Sequence, residues 1–346
     1  MKVESPQGDD TRRWGPPFIE NADGSKDAAY FHATNRGKIS VVADFHKEED
    51  RAKVIELIRD ADVVIENFKL GGLAKYGLDY ESLSAINSRL VYCSITGFGQ
   101  DGPYAARAGY DFIVQGMSGM MDITGDPAGP PMKIGMAYAD ILTGLYGVIG
   151  IQAALHQRET TGKGQQIDMA LFDVMVGTLA NQAMNYLASG EVPHRMGNAH
   201  PNIVPYEAFP TNDGWLIIAV GNDTQFARLA IVLDFEPKAE WATNAGRVAD
   251  REAVSAMVSS RTSEWERDAL IAALEEDNIP VGPINDVAEA LADPQIVARQ
   301  MVLDMLRGDG AKIPGLRTPI VFSDAELALG KPSPELGDES ANQRNS

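Results

Sequence analysis

The sequence predicts an α/β protein: a large domain on a parallel sheet, plus a smaller α+β domain. Three observations carry this. Between residues 39 and 96, β-rich apolar runs alternate with helical stretches, in the order strand, helix, strand, helix, strand. That alternation is the mark of right-handed βαβ units. Residues 190–210 lose all periodicity and hold four prolines and two glycines, as a connection between domains does. Beyond it, one strand is followed mainly by helical segments.

Each element has its own reason. Lys2-Val3-Glu4 reads as the tail of a strand, and residues 39–45 as a full one. Residues 48–61 place Val54, Ile55, Leu57, Ile58 and Ala61 on one helical stripe. Residues 62–68 read as a strand buried on both faces, 80–87 as a short helix capped by Asp79, and 89–96 as a strand. Ligands of such sheets bind beyond the carboxyl ends of the strands, here Asn67-Phe68-Lys69 and Thr96-Gly97-Phe98-Gly99. Residues 137–157 form a long helix with Gly144, Gly147 and Gly150 three apart. Each glycine costs about 1 kcal/mol relative to alanine, which close packing against another helix explains. After a turn at Thr161-Gly162-Lys163-Gly164 come a strand at 165–169 and an apolar helix at 170–187. Past the connection lie a strand at 214–220, helices around 224–233, 250–260 and 263–276, an extended piece at 279–284, and a helix at 286–292. The polar tail from Lys331 is expected to be mobile.

Composition narrows the function. The 346 residues include 30 basic and 49 acidic side chains, a formal net charge of −19. Phosphate neutralisation needs a basic surface, so nucleic acid is not an expected partner. A small anion needs a local cationic pocket that overrides the global field. The single cysteine, Cys93, excludes a disulfide framework and an all-cysteine metal site. The five histidines are scattered singly, with no HExxH, GxSxG or Walker pattern, so no metal is expected. Lys2, Glu4, Asp9 and Asp10 speak against a signal or transit peptide. The apolar stretch 141–155, between Asp140 and His156, falls short of the roughly 20 residues that span a bilayer. The expectation is a soluble cytoplasmic protein with no membrane partner.

Candidate chemistry is concentrated at a few positions. Gly97-Phe98-Gly99-Gln100-Asp101-Gly102 matches GxGxxG after a strand, the dinucleotide pattern. That pattern works when a helix starts at its last glycine and turns its N-terminus on the pyrophosphate. Here Pro103 follows at once, Asp101 carries the wrong charge, and no helical pattern starts before Tyr110. A glycine turn leaving a strand is the favoured reading. Asp173 is the only charged residue between 169 and 181. A carboxylate there is either an early-helix residue favoured by the helix dipole or a functional group, for example a nucleophile toward an activated acyl carbon. Asp111 and Asp140 also interrupt apolar runs, as ligand-orienting or capping residues. His200, in a loop, reads alone as structural.

Taken together, these positions resemble the class III CoA-transferases, the group that includes formyl-CoA transferase, carnitine CoA-transferase and α-methylacyl-CoA racemase. The likeness spans essentially the whole chain. It rests on Lys2-Val3-Glu4 with Gly8-Asp9-Asp10-Thr11-Arg12, Glu66-Asn67-Phe68, Ser94-Ile95-Thr96-Gly97-Phe98-Gly99 and Gly109-Tyr110-Asp111-Phe112. Thr161-Gly162-Lys163-Gly164-Gln165, Ala170-Leu171-Phe172-Asp173, Val281-Gly282-Pro283 and Asp293-Pro294-Gln295 complete it.

The resemblance implies that Asp173 is the nucleophile, passing through an acyl–aspartyl anhydride and an aspartyl-CoA thioester. It implies CoA contacts at Asn67, Phe68, Lys69, Lys75, Ala43, Asp44, Phe45, His46, Ser5 and Arg12. His46 and Ser5 depart from the cations common at their positions, and Lys75 replaces the usual arginine. Gly97, Phe98, Gly99, Tyr110, Asp111, Asp140 and His200 would wall the active site. A CoA thioester is then a substrate, and no cofactor is bound permanently. Residues 121–132 and 200–226 resemble members acting on dicarboxylates, which suggests succinyl-CoA as donor and a dicarboxylic acceptor. The implied fold is an interlocked homodimer. Its Rossmann-like large domain would comprise 1–201 with 300–346, and its small domain 205–292. Two alternatives stay in view. One is a racemase-like isomerase, although racemases carry Gly-His-Asp where this chain has Gly109-Tyr110-Asp111, and tyrosine is a poor acid–base group near neutral pH. The other is an inactive member, since the family's first strand–helix unit is expected to be missing before Met1.

Overall fold

The computed structural model describes residues 1–338. In chain order the elements are β1 (Lys2–Glu4), β2 (Phe18–Glu20), β3 (Lys26–Ala28), α1 (Ala29–Thr34), β4 (Ser40–Val42), α2 (Glu48–Arg59), β5 (Val63–Glu66), α3 (Tyr80–Ile86) and β6 (Val91–Thr96). Next are α4 (Asp111–Met117), α5 (Tyr138–Thr161), β7 (Gln166–Ala170), α6 (Leu171–Gly177), α7 (Ala180–Ser189), β8 (Tyr206–Pro210), β9 (Trp215–Ala219) and α8 (Asp223–Val232). The last are α9 (Asn244–Ala249), α10 (Arg251–Thr262), α11 (Arg267–Glu276), β10 (Val281–Pro283), α12 (Val287–Ala292), α13 (Pro294–Ala298), β11 (Val302–Leu306) and β12 (Lys312–Leu316). They form two compact units. One comprises Met1–Cys93, Ile151–Ile167 and the chain from Asp286 onward; the other comprises Ser94–Gly150 and Asp168–Asn285.

In the first unit, β1 pairs in parallel with β4, Val3 opposite Val41. Val54 and Ile58 of α2 pack with Leu73, Leu78, Leu83, Leu90 and Tyr92 in one core. Three strands run in the order β5-β6-β7. Gly164 makes the approach to β7 possible: a Cβ there would lie 1.9 Å from the Leu90 carbonyl oxygen. Arg12 joins the two ends of the chain, donating to the Pro334 carbonyl at 3.4 Å. The Arg12 guanidinium holds both Glu4 oxygens at 2.9 and 2.8 Å and Asp27 at 3.0 Å, and it stacks 3.7 Å from the Phe31 ring centroid.

The second unit has two cores. Val204, Phe209, Leu216, Ile218, Phe226, Leu229, Trp241, Val254, Leu270 and Ile279 belong to one, beneath the antiparallel sheet β10-β9-β8. Val114, Ala139, Leu171 and Met175 form the other and set the orientation of α4 and α6.

Several expectations need correction. Strand β5 is not buried on both faces among the described residues, since Ile65 is 59% exposed. Asp79 stands at the N-cap of α3 but makes no capping bond with its side chain. The apolar run 170–187 is two helices, since the chain turns through positive φ at Ala180, the first residue of α7. Gly144 packs against nothing among the described residues. The apolar side chains of α5 around it, Ile141, Leu145, Val148 and Ile149, are about half exposed. At 24 residues α5 is also long and apolar enough to cross a membrane by length and composition, contrary to the shorter stretch read from the sequence. The expected mobile tail is docked as far as it is described. Gly37 N–H donates to Pro332 O, Ser40 N–H to Asp338 O, and the Ser333 hydroxyl lies 2.5 Å from His32 Nδ1. Residues 339–346 of that tail lie outside the described residues.

Candidate active site

Asp173 owes its position to the helix that carries it. Leu171, Val174 and Met175 of α6 turn into the core, so Asp173 stands exposed in the first helical turn. A carboxylate is favoured there by the unpaired N–H groups of the helix start. The glycine turn after β6 is fastened to this junction. Phe172 N–H donates to Gly97 O at 3.0 Å, and Gln100 N–H to the Asp168 carboxylate at 2.9 Å. Gly99, at φ +88°, donates its N–H to Thr96 Oγ1 at 2.9 Å. A Cβ on Gly97 would come 2.4 Å from Gly109 Cα, so both positions require glycine. The turn runs on as a loop until α4 begins at Asp111, and no helix N-terminus forms at Gly102. The dinucleotide reading therefore has no structural support. Phe98 lies edge-on to Phe172 and to Tyr104, with centroids 5.8 and 5.6 Å apart. The Arg107 guanidinium covers Tyr104 at 4.5 Å and Phe98 at 5.3 Å.

Asp111 and Asp140 are a neighbouring pair of the same unit. Asp111 accepts from Ala139 N–H and from Gln115 Nε2, each at 2.8 Å, and so locks the start of α5 to α4. Gln115, not singled out from the sequence, is fully buried and also accepts from Ile134 N–H at 3.0 Å. Its signal was the i,i+4 spacing from Asp111. The Asp140 carboxyl is pushed above the usual aspartate range, first by desolvation and then by the Asp111 carboxylate, although the residue keeps an exposed surface. Tyr110 is 69% exposed ahead of α4. His200 accepts from Asn202 N–H at 3.1 Å and packs on Tyr206, as a loop-ordering residue.

The first unit gathers most of the expected CoA positions. Phe45 packs against Phe68 and Tyr76, with centroids 6.3 and 5.7 Å away. The His46 ring is edge-on to Tyr76 at 5.6 Å, and Lys75 Nζ lies 4.7 Å from the Tyr76 centroid. Ala43 is buried beneath them, and Asp44 accepts from His46 N–H at 3.0 Å. Asn67, Phe68 and Lys69 are exposed at the end of β5, where Glu66 accepts from Phe68 N–H at 2.8 Å. The result is an aromatic patch edged with cations, and Tyr76 is a member that sequence reasoning passed over. Its only signal was its place beside Lys75. Ser5 and Arg12 do not join the patch by any contact among the described residues. Ser5 bonds to Gly8 O at 3.2 Å, and Arg12 is buried and committed to Glu4 and Asp27. No group of acidic, histidine and cysteine side chains suited to a metal occurs among the described residues.

The model of CoA-transferase family III matches residues 1–340. The chain is 58% identical over 346 residues to the succinate–glutarate CoA-transferase of Agrobacterium fabrum, covering 99% of this chain and 86% of that protein. It is 37% identical to the human succinyl-CoA:glutarate CoA-transferase, covering 97% and 77%. A crystal structure of a CAIB/BAIF family protein from Brucella suis superposes with a TM-score of 0.89 at 60% identity, covering 99% of this chain and 90% of that one. The chain belongs to CoA-transferase family III, and it is an enzyme that moves CoA between an acyl-CoA and an acid.

Proposed function

We propose that this enzyme transfers CoA from succinyl-CoA to glutarate or a similar dicarboxylic acid, with Asp173 as the nucleophile. The observation that carries this is the exposed Asp173 carboxylate, alone in an apolar helix and backed by a turn that two glycines hold in place. The carboxylate attacks the thioester carbonyl, the C–S bond breaks, and an acyl–aspartyl anhydride forms with release of CoA thiolate. The thiolate attacks the aspartyl carbonyl, the anhydride C–O bond breaks, and the donor acid leaves as a carboxylate. The acceptor carboxylate then attacks the aspartyl-CoA thioester, releasing the thiolate again. Its attack on the acceptor's acyl carbon gives the product and frees Asp173. No net proton or electron is consumed.

In this reading the patch of Phe45, Phe68 and Tyr76 holds the nucleotide, and Lys69 and Lys75 meet its phosphates against a net charge of −19. The exposed apolar side chains of α5 and α7, among them Leu145, Ile149, Met184 and Leu187, support an interlocked homodimer whose partner, rather than lipid, covers them. The continuous core from Val204 to Ile279 supports a small domain over 205–292. The test is incubation with succinyl-CoA and a panel of carboxylic acids, reading acyl-CoA products by mass. Glutaryl-CoA is expected. Deuterium wash-in at the α-carbon of a 2-methylacyl-CoA without any transfer would favour the isomerase instead.

A further inference from the structure

The segment 134–139 leads into α5, and both of its ends are tied to one pair of side chains on α4. Gln115 Oε1 accepts from Ile134 N–H at 3.0 Å, and Gln115 Nε2 donates to Asp111 Oδ2 at 2.8 Å. The other oxygen of Asp111 accepts from Ala139 N–H at 2.8 Å. Gln115 and Ala139 are fully buried, whereas Gly135 and Met136, between the tied ends, are exposed. The next residue is Asp140. Its side chain makes no hydrogen bond or ion pair among the described residues and keeps an exposed surface. Desolvation, and then the Asp111 carboxylate, favour its protonated form. A carboxyl perturbed in this way and left without a protein partner is a candidate for contact with substrate. Gln115 reaches no surface of its own. Both atoms of its amide serve the brace, and losing the amide would orphan the Ile134 N–H and free one oxygen of Asp111.

We infer that Gln115 is a positioning residue for CoA transfer: it holds Asp111 and the Ile134 backbone so that the first turn of α5 presents Asp140 to the substrate at one fixed place. This rests on Asp140 lining the active site, as the family resemblance implies, and adds a buried residue that touches no substrate itself.

The first test needs no turnover. In wild-type protein the amides of Ile134 and Ala139 should exchange slowly with deuterium, read by mass in a peptide spanning them, and Q115M should release both while the rest of α5 keeps its protection. Rapid exchange of both amides in wild-type protein would overturn the inference. The second test is kinetic. In Q115E the new carboxyl has the shape of the amide; protonated, it donates to Asp111 as the amide did, and ionised, it cannot and adds a like charge. With succinyl-CoA and glutarate, the ratio of its kcat to that of wild type should be about tenfold or more below unity near pH ~8 and recover as pH is lowered toward ~5, with KM for succinyl-CoA little changed. Q115M, which fills the space but neither donates nor accepts, should lose kcat without that recovery. Each kcat is taken per folded molecule, with the folded fraction read by circular dichroism, so unfolding does not enter the ratio. Unchanged kcat in both variants, a Q115E ratio that ignores pH, or a loss confined to KM would overturn the inference. D140N separates the inference from the reading beneath it. Wild-type kcat in D140N would remove Asp140 from the site and overturn both; reduced kcat in D140N beside unchanged Q115E and Q115M would overturn the inference alone.

Discussion

Glu4 and Asp173 are both carboxylates near apolar surroundings, and the molecule treats them in opposite ways. Glu4 is buried and receives Arg12, the Ser40 hydroxyl and Asp9 N–H. Desolvation works against its charge, and those bonds outweigh it, so its pKa lies below the usual range. Asp173 is exposed, and no hydrogen bond or ion pair to its side chain occurs among the described residues. The difference separates a carboxylate whose charge is spent on protein partners from one that meets none among the described residues.

The comparison can be broken from its structural side first. Arg12→Met should be the most damaging change to stability, about 3–5 kcal/mol, because it leaves Glu4 and Asp27 buried without their cation. Chemical denaturation would measure it. A methyl group at position 97 meets Gly109 backbone, which cannot yield as a flexible side chain can. Gly97→Ala should therefore cut kcat by about tenfold or more while leaving a folded protein, since a small displacement of the backing turn disturbs the reacting geometry. Steady-state kinetics beside a circular dichroism spectrum would show it. Tyr76→Ala should raise KM for the acyl-CoA about threefold to tenfold with kcat little changed, since one stacking surface is lost at a patch remote in sequence from Asp173.

Acid should act on the joined chain ends in two stages. His32 is buried, and desolvation, followed by the field of Arg307 and Arg12 against the opposing Asp27, holds its pKa below the usual imidazole range. The folded state thus prefers the neutral ring, and the stability it contributes is present at neutral pH and lost as pH falls through the lowered value. Asp9 is brought down to about 2: burial opposes its charge, and Lys2 and Thr11 overcome that. Its contribution is complete above the ordinary aspartate range and disappears as pH falls toward 2. Thermal midpoints recorded from pH 7 to pH 2 should decline in both ranges, and His32→Asn should flatten the first decline alone.

The parts legible in the sequence were those governed by local pattern. The stripe of α2, the strand ending at Thr96 and the glycine turn beyond it all rest on periodicity or on backbone demands that one residue type meets. The single helix over 170–187 failed, and Gly144 finds no helix to pack on within the described chain, because both depend on what surrounds the segment. Gly144 faces open space, and the chain breaks at Ala180, a residue with no turn signature. Tyr76 was passed over for a related reason: its contacts with Phe45 and His46 come together only in the fold, whereas Asp173 stood out as one charge in an apolar run.

The most direct test of Asp173 as nucleophile is the intact mass of the protein after brief incubation with succinyl-CoA. Wild-type enzyme should carry a covalent CoA adduct that maps to Asp173 and disappears on addition of glutarate as glutaryl-CoA forms. Asp173→Ala should show neither adduct nor product; CoA transfer persisting in that variant would contradict the account.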